Sequence, residues 1–235
     1  ILLRADDPAR FANIAAAFRQ ALNPQTVTAE EGSIDITSGK GDILIGSNGP
    51  SKKTVSAKQN VNVETDLGTI TIRGKTSTDN GDITMKAGKD KYEPGLNTGN
   101  FIIEAEGEVD SGGAVTLNGR NGDIHITDDI KAKKGVNANI AEEGSVYFDR
   151  DVTVTNDVNI AIDKGNIAVG KTITSTDGSV SLKTGGGEVL IGQDITAEKD
   201  VSITNKDGDV IVGDVETGDA GHVLSKTGNV SIQAD

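Results

Sequence analysis

Cysteine and tryptophan are absent from the 235 residues, and the other aromatics amount to two tyrosines and four phenylalanines. Without cysteine there can be no disulfide staple, no thiolate metal site and no cysteine nucleophile, and the absence fits an exported bacterial protein. With so few aromatics and only 34% hydrophobic residues, the chain cannot build the thick core usual for a compact globule of this size. No apolar run is long enough to span a bilayer. The opening ILLRADDPAR is too short and too charged for an intact secretory signal, and no Met begins the chain, so we expect a piece of a longer mature protein. Positive charge is also in deficit. Lys and Arg number 23 against 36 Asp and Glu, for a net charge of −13. Such a chain repels nucleic-acid phosphate and anionic lipid, which excludes nucleic acid and membrane insertion as expected partners.

What the chain has instead is glycine, 30 residues of it, and Ile, Val and Leu at strict intervals. A polar, glycine-rich, charged composition also suits a disordered chain, but disorder does not require the spacing. One segment, residues 1–27, stands apart. In DDPARFANIAAAFRQALNP, Asp7 is placed to N-cap a helix, Pro8 takes its first position and Pro24 follows its end. Phe11, Ile14, Phe18 and Leu22 share one face at helical spacing. This predicts an amphipathic helix suited to cap the end of whatever follows.

From residue 28 to 235 the period changes to two. A unit Gly–polar–Φ–x–Φ recurs, as in GDIHI, GSVYF, GNIAV and GDVIV, where alternation makes a short strand and glycine the turn before it. Its glycines at 122, 144, 165, 187, 208 and 228 are spaced by 20 to 22 residues. A second register runs through Val158, Val180 and Val201 to Val223. A third runs through Ile130, Val152, Ile173, Ile195 and Val215. Three short strands in about 21 residues, none stable alone, can bury their Φ residues only by coiling about an axis and stacking in parallel. The predicted fold is all-β, a parallel β-helix of about ten coils. Each coil repeats the last because each is the next one's neighbour. GSNGPSKKTVSAKQN and KAGKDKYEPGLNTGN read as longer loops, and more coils are expected beyond the C-terminus.

The inward columns predicted from this register are Ile124, Val146, Ile167, Val189, Val210, Val230 and Ile126, Phe148, Val169, Ile191, Val212, Ile232. Outward positions of the same strands are His125, Tyr147, Ala168, Leu190, Ile211 and Ser231. In the second register they are Asn159, Ser181, Ser202 and Leu224. The second face is polar, as a solvated sheet should be. The first carries an apolar stripe, Tyr147, Leu190 and Ile211, a candidate contact surface for a second copy or another part of the parent protein; the alternative is that these are ordinary lone exposed apolar residues.

Little else in the sequence carries chemistry. Asp42, Asp82, Asp123 and Asp209 follow register glycines, with Ser145, Asn166, Glu188 and Asn229 at the equivalent place elsewhere. A carboxylate ladder suits Ca²⁺. However, the substitutions interrupt it and the G-G-x-G-x-D repeat is missing, so acceptors for turn N–H groups explain the pattern more simply. His125 and His222 are far apart and lack clustered acidic neighbours in sequence, which argues against a metal site or general base. A β-helical polysaccharide enzyme needs paired carboxylates or an Arg or Lys base, and aromatics to stack on sugar rings. Asp128 with Asp129 is one pair that can be named, but with no Trp and six Arg the chain reads as non-enzymatic, with no cofactor and no metal.

The pattern GDΦxΦ…DΦxΦ…GΦxΦ over about Thr28 to Asp235 resembles the repeats of filamentous-haemagglutinin-type exoproteins. Autotransporter passengers and small putative-adhesin solenoids look similar. The resemblance implies a right-handed parallel β-helix, secretion to the bacterial surface or medium by the two-partner or autotransporter route, and a role in virulence and adhesion to a host or bacterial surface protein or glycan. Self-association along the solenoid is a further expectation. A secreted toxin shaft, from a haemolysin or contact-dependent inhibitor, is the alternative, and a polysaccharide-active enzyme the next. The family's secretion domain carries Asn-Pro-Asn-Gly-like motifs, from which NPQT at 23–26 departs, so an internal shaft segment is expected.

Overall fold

Alternating Φ residues and frequent glycines form short strands, 28 among the described residues, and all but Asp219–Ala220 stack in parallel as a β-helix. The computed structural model describes residues 2–3, 27–46, 54–88, 102–214 and 217–235, and no helix occurs among them. The amphipathic segment with Phe11, Ile14, Phe18 and Leu22 lies outside the described residues.

Three sheets make the walls. Sheet I begins with Val27–Ala29, sheet II with Ile34–Ser38 among the coils, and sheet III with Ile43–Ile45. The chain visits them in turn. Among the described residues it forms eight full coils, from Val27–Ala29 through Val210–Asp214, and two strands of a ninth, Val223–Ser225 and Val230–Ala234. Leu2–Leu3 adds a parallel strand to sheet II beside Ile34–Ser38. Pairing between coils is in register, for example Val158 with Val180 and Val201, with one shift between Ile140 and Glu143, where Ile140 faces Ile162 and Glu143 faces Lys164. The core is therefore a set of columns. Ile124, Val146, Ile167, Val189 and Val210 stack as one, and Ile126, Phe148, Val169, Ile191 and Val212 as its neighbour. Both columns are buried except at their last members, Val210 and Val212.

The strands do not all fall where the sequence register puts them. After Val210–Asp214 the chain makes a small hairpin, Gly213 and Asp214 pairing antiparallel with Ala220 and Asp219. This extra length delays the next coil. Val223 consequently belongs to sheet I, beside Ile195, and not to the second register, while Val215 lies outside the described residues. Val230, Ser231 and Ile232 pair with Val201, Ser202 and Ile203 in sheet II, so they do not continue the columns of sheet III. Gly228 marks the false register. Gly122, Gly144, Gly165, Gly187 and Gly208 all have positive φ, whereas Gly228 does not and stacks on Lys199 and Asp200. In the first half, Val55–Ala57 is a strand of sheet I inside the segment expected to be loop.

Candidate contact surface

The outer faces of the three sheets differ because only the residue between each pair of inward Φ positions is free of core packing. On sheet II the residue between the first two inward positions of each strand is polar, and with the C-terminal register corrected the run is Asn137, Asn159, Ser181, Ser202, Ser231, with Ala161 an apolar outward residue further along its strand. Leu224, expected there, is on sheet I. Side-chain amides bridge coils on this face, Asn62 Nδ2 donating to Asp35 Oδ1 at 2.6 Å and Asn159 Nδ2 to Asn137 Oδ1 at 3.3 Å.

Sheet I carries charge. Lys75 Nζ lies 2.8 Å from Glu108 and 2.9 Å from Asp110, and Lys131 Nζ lies 2.6 Å from Glu108. The Lys131 and Lys75 ammonium groups hold the Glu108 carboxyl below its ordinary range, and Glu108 in turn raises both lysines. These partners lie 23 and 33 residues apart in sequence, so no local motif signals them.

Sheet III is apolar over its C-terminal half. Tyr147, Ala168, Leu190 and Ile211 stand side by side on four successive strands, directly in register and all half-buried. The three stripe residues read from the sequence are thus brought together, with Ala168 between Tyr147 and Leu190. Beside them the coil turns on Gly170, Gly192 and Gly213, which carry no side chain. The result is a concavity of ≈ 330 Å³ lined by Ala168, Leu190, Ile211, these glycines, Gln193 and Asp214. On the N-terminal coils the face changes character, with Glu104 and His125 at the outward positions.

The polar residues before the strands also have a defined role, though it differs in one respect from expectation. Asp42 Oδ1 accepts from the Thr69 amide at 2.8 Å, Asp82 Oδ1 from Ala114 at 2.8 Å and Asp123 Oδ1 from Ser145 at 2.8 Å. Ser145 Oγ then accepts from Asn166 at 3.0 Å, and Asn166 Oδ1 from Glu188 at 2.8 Å. The donor is the amide of the next coil, not of the residue's own turn. Asp157, Asp194 and Asp200 accept in the same way, from Ser179, His222 and Asn229. These side chains extend the backbone ladder around the corners. In sheet III the run of acceptors stops at Glu188.

Each histidine has a carboxylate neighbour that the sequence does not reveal, because it comes from the adjacent coil. His125 Nε2 is 2.9 Å and 3.0 Å from the two oxygens of Asp149 and meets the Tyr147 ring edge-on at 6.0 Å. His222 Nδ1 is 3.3 Å from Asp194 Oδ1. Asp128 and Asp129 do not oppose each other across a cleft. Asp128 Oδ1 accepts from the Asp129 amide at 2.9 Å, and Arg150 stands 3.8 Å from Asp128. Among the described residues no group of three His, Asp or Glu side chains is placed to hold a metal ion.

In comparisons with known proteins, no family model, curated protein or solved structure matches the chain.

Proposed function

We infer that the chain is a non-enzymatic structural and binding module, a shaft segment of an exported bacterial surface protein of the adhesin type. The observation that carries this reading is the outer face of sheet III. Tyr147, Ala168, Leu190 and Ile211 form an apolar strip along four coils, while sheet II holds Asn and Ser at the corresponding positions. Strand propensity does not account for the contrast, since both sheets use the same inward Ile and Val. A strip of this kind favours contact with another surface. The stack supports a mechanical role as well, because in-register ladders on three sides make a stiff rod that carries the strip on a fixed geometry. The repeat pattern of filamentous-haemagglutinin-type exoproteins supports placement outside the cell.

Beads coated with the purified chain should adhere to epithelial or bacterial cells. Beads carrying Tyr147→Ser, Leu190→Ser and Ile211→Ser together should not, although the variant keeps its circular dichroism spectrum and melting temperature, since none of the three faces the core. Adhesion of the wild-type beads no greater than that of uncoated beads overturns the reading. So does release of reducing or unsaturated ends when the chain is incubated with acidic polysaccharides, which would restore the enzyme alternative.

A further inference from the structure

We propose that the concavity on sheet III takes a cationic amphipathic segment of a partner protein, one with Lys or Arg side chains next to aliphatic ones. The proposal deepens the binding role inferred above and rests on it for biological context.

The floor is apolar, formed by Ala168, Leu190 and Ile211, and glycines at 170, 192 and 213 leave it open at the corner. On the opposite side of the floor, outside the lining of the concavity, come the residues two positions earlier in the chain. They stand immediately before the strands Ile167–Val169, Val189–Ile191 and Val210–Asp214. They are Asn166, Glu188 and Asp209. Asn166 is occupied, its Oδ1 accepting the Glu188 amide. The carboxylates of Glu188 and Asp209 have no partner among the described residues. They are exposed and sit directly opposite one another, as the Val189–Val210 pairing requires.

Like charges opposite one another on neighbouring strands, about 4.8 Å apart, repel and destabilise the pair. Elsewhere in the solenoid the equivalent side chains are engaged with the next coil's amides, as at Asp42, Asp82, Asp123 and Asp157. Beside the apolar floor this carboxylate pair has no neutralising partner among the described residues. Across the floor Asp214 also lines the concavity, its Oδ1 accepting from the Thr217 amide at 3.3 Å. Lys171, next to Gly170 at the glycine corner, faces Asp151 at 3.9 Å. An ammonium or guanidinium between Glu188 and Asp209 would relieve their repulsion while its aliphatic neighbours cover Leu190 and Ile211. An anionic or purely polar segment would add repulsion or leave the floor wet. The chain's net charge of −13 acts in the same direction, drawing cationic partners on encounter.

Fluorescence anisotropy with three labelled peptides of equal length tests this, alternating Lys–Leu, Lys–Ser and Glu–Leu, at low and high salt. The Lys–Leu peptide should bind the full chain, more weakly as salt rises, and the other two at least tenfold more weakly. Glu188→Gln with Asp209→Asn should weaken Lys–Leu binding at least tenfold and remove most of its salt dependence. Leu190→Ser with Ile211→Ser should abolish it. Equal binding of the Glu–Leu peptide, or unchanged binding by the charge variant, overturns the proposal. So does concentration-dependent self-association of the wild type, by sedimentation, that the same variants remove, because the occupant is then a second copy. The adhesion assay separates the two readings. Cell adhesion that survives Glu188→Gln with Asp209→Asn defeats this occupant and leaves the adhesive role standing. Peptide binding without cell adhesion does the reverse.

Discussion

At the scale of single residues, close stacking makes small differences decisive. Thr76 faces the axis between Val55 and Val109 in the inner column of sheet I. Its Oγ1 is buried with no hydrogen-bond partner. An unsatisfied hydroxyl costs its full desolvation, whereas valine has the same shape and no such demand. Thr76→Val should therefore raise stability by about 1 kcal/mol, read as a higher denaturation midpoint at unchanged slope. A lower midpoint would mean that the hydroxyl has a partner. Gly187 shows the opposite sensitivity. Its φ is +117°, and a Cβ there would run into the carbonyl oxygen of Gly165 in the coil before. The neighbouring Gly186 has ordinary φ, and a Cβ on it meets nothing closer than 4.0 Å. Gly187→Ala should cost at least about 2 kcal/mol, and Gly186→Ala close to nothing. Equal effects of the two substitutions would show that backbone stacking is not what requires glycine at this corner.

At the scale of elements, a strand here is stabilised by the strands before and after it in the stack, and its side chains follow the same rule. The Lys75–Glu108–Lys131 network spans three coils of sheet I. Because Glu108 is held below its ordinary value of 4.5, its contribution is complete above that pH and is lost as pH falls through the lower folded value. Lys75 and Lys131 are raised above 10.5, so their share is present below that pH and fades as pH climbs through the folded values. The network therefore contributes over the range between. All three groups are partly solvated, and the whole is worth about 1 kcal/mol at low salt. Glu108→Gln should lower the melting temperature at pH 7 and remove part of the loss that the wild type shows on acidification. Parallel pH profiles for the two proteins would rule the network out as a source of stability.

At the scale of the molecule, each coil touches mainly its two neighbours, so stability is close to a sum over coils and interfaces. A whole coil can then be removed. Deleting Gly144–Lys164 joins Glu143 to Gly165, which occupies the same corner one coil later, and keeps every column in register. The shortened chain should melt cooperatively only a few degrees below the parent and lose about 4.8 Å of length in small-angle scattering. Deleting half a coil should instead abolish folding, since it places sheet III residues on sheet I and turns Φ positions outward. A whole-coil deletion that unfolds would mean that particular contacts, such as His125 with Asp149, outweigh the repeat.

Alternation and period alone determined the architecture. From Gly122 to Val212 the inward columns, the outward stripe of Tyr147, Leu190 and Ile211, and the glycine corners are all legible, because a coil whose neighbours are other coils must match them residue by residue. The unit Gly–polar–Φ–x–Φ encodes a strand and one buried face, but not which wall that strand joins. GSIDI enters sheet II and GDILI, only nine residues later, enters sheet III. The unit at Gly228 does not reveal its wall for the same reason, since the pairing of 213–214 with 219–220 adds length that no local signal subtracts. The partners across coils were equally hidden. Asp149 beside His125, the two lysines on Glu108 and the next-coil amides on Asp42 and Asp123 all come from residues 22 to 33 positions away. Their contacts depend on the length of every intervening turn, a quantity that only the closed and stacked chain settles.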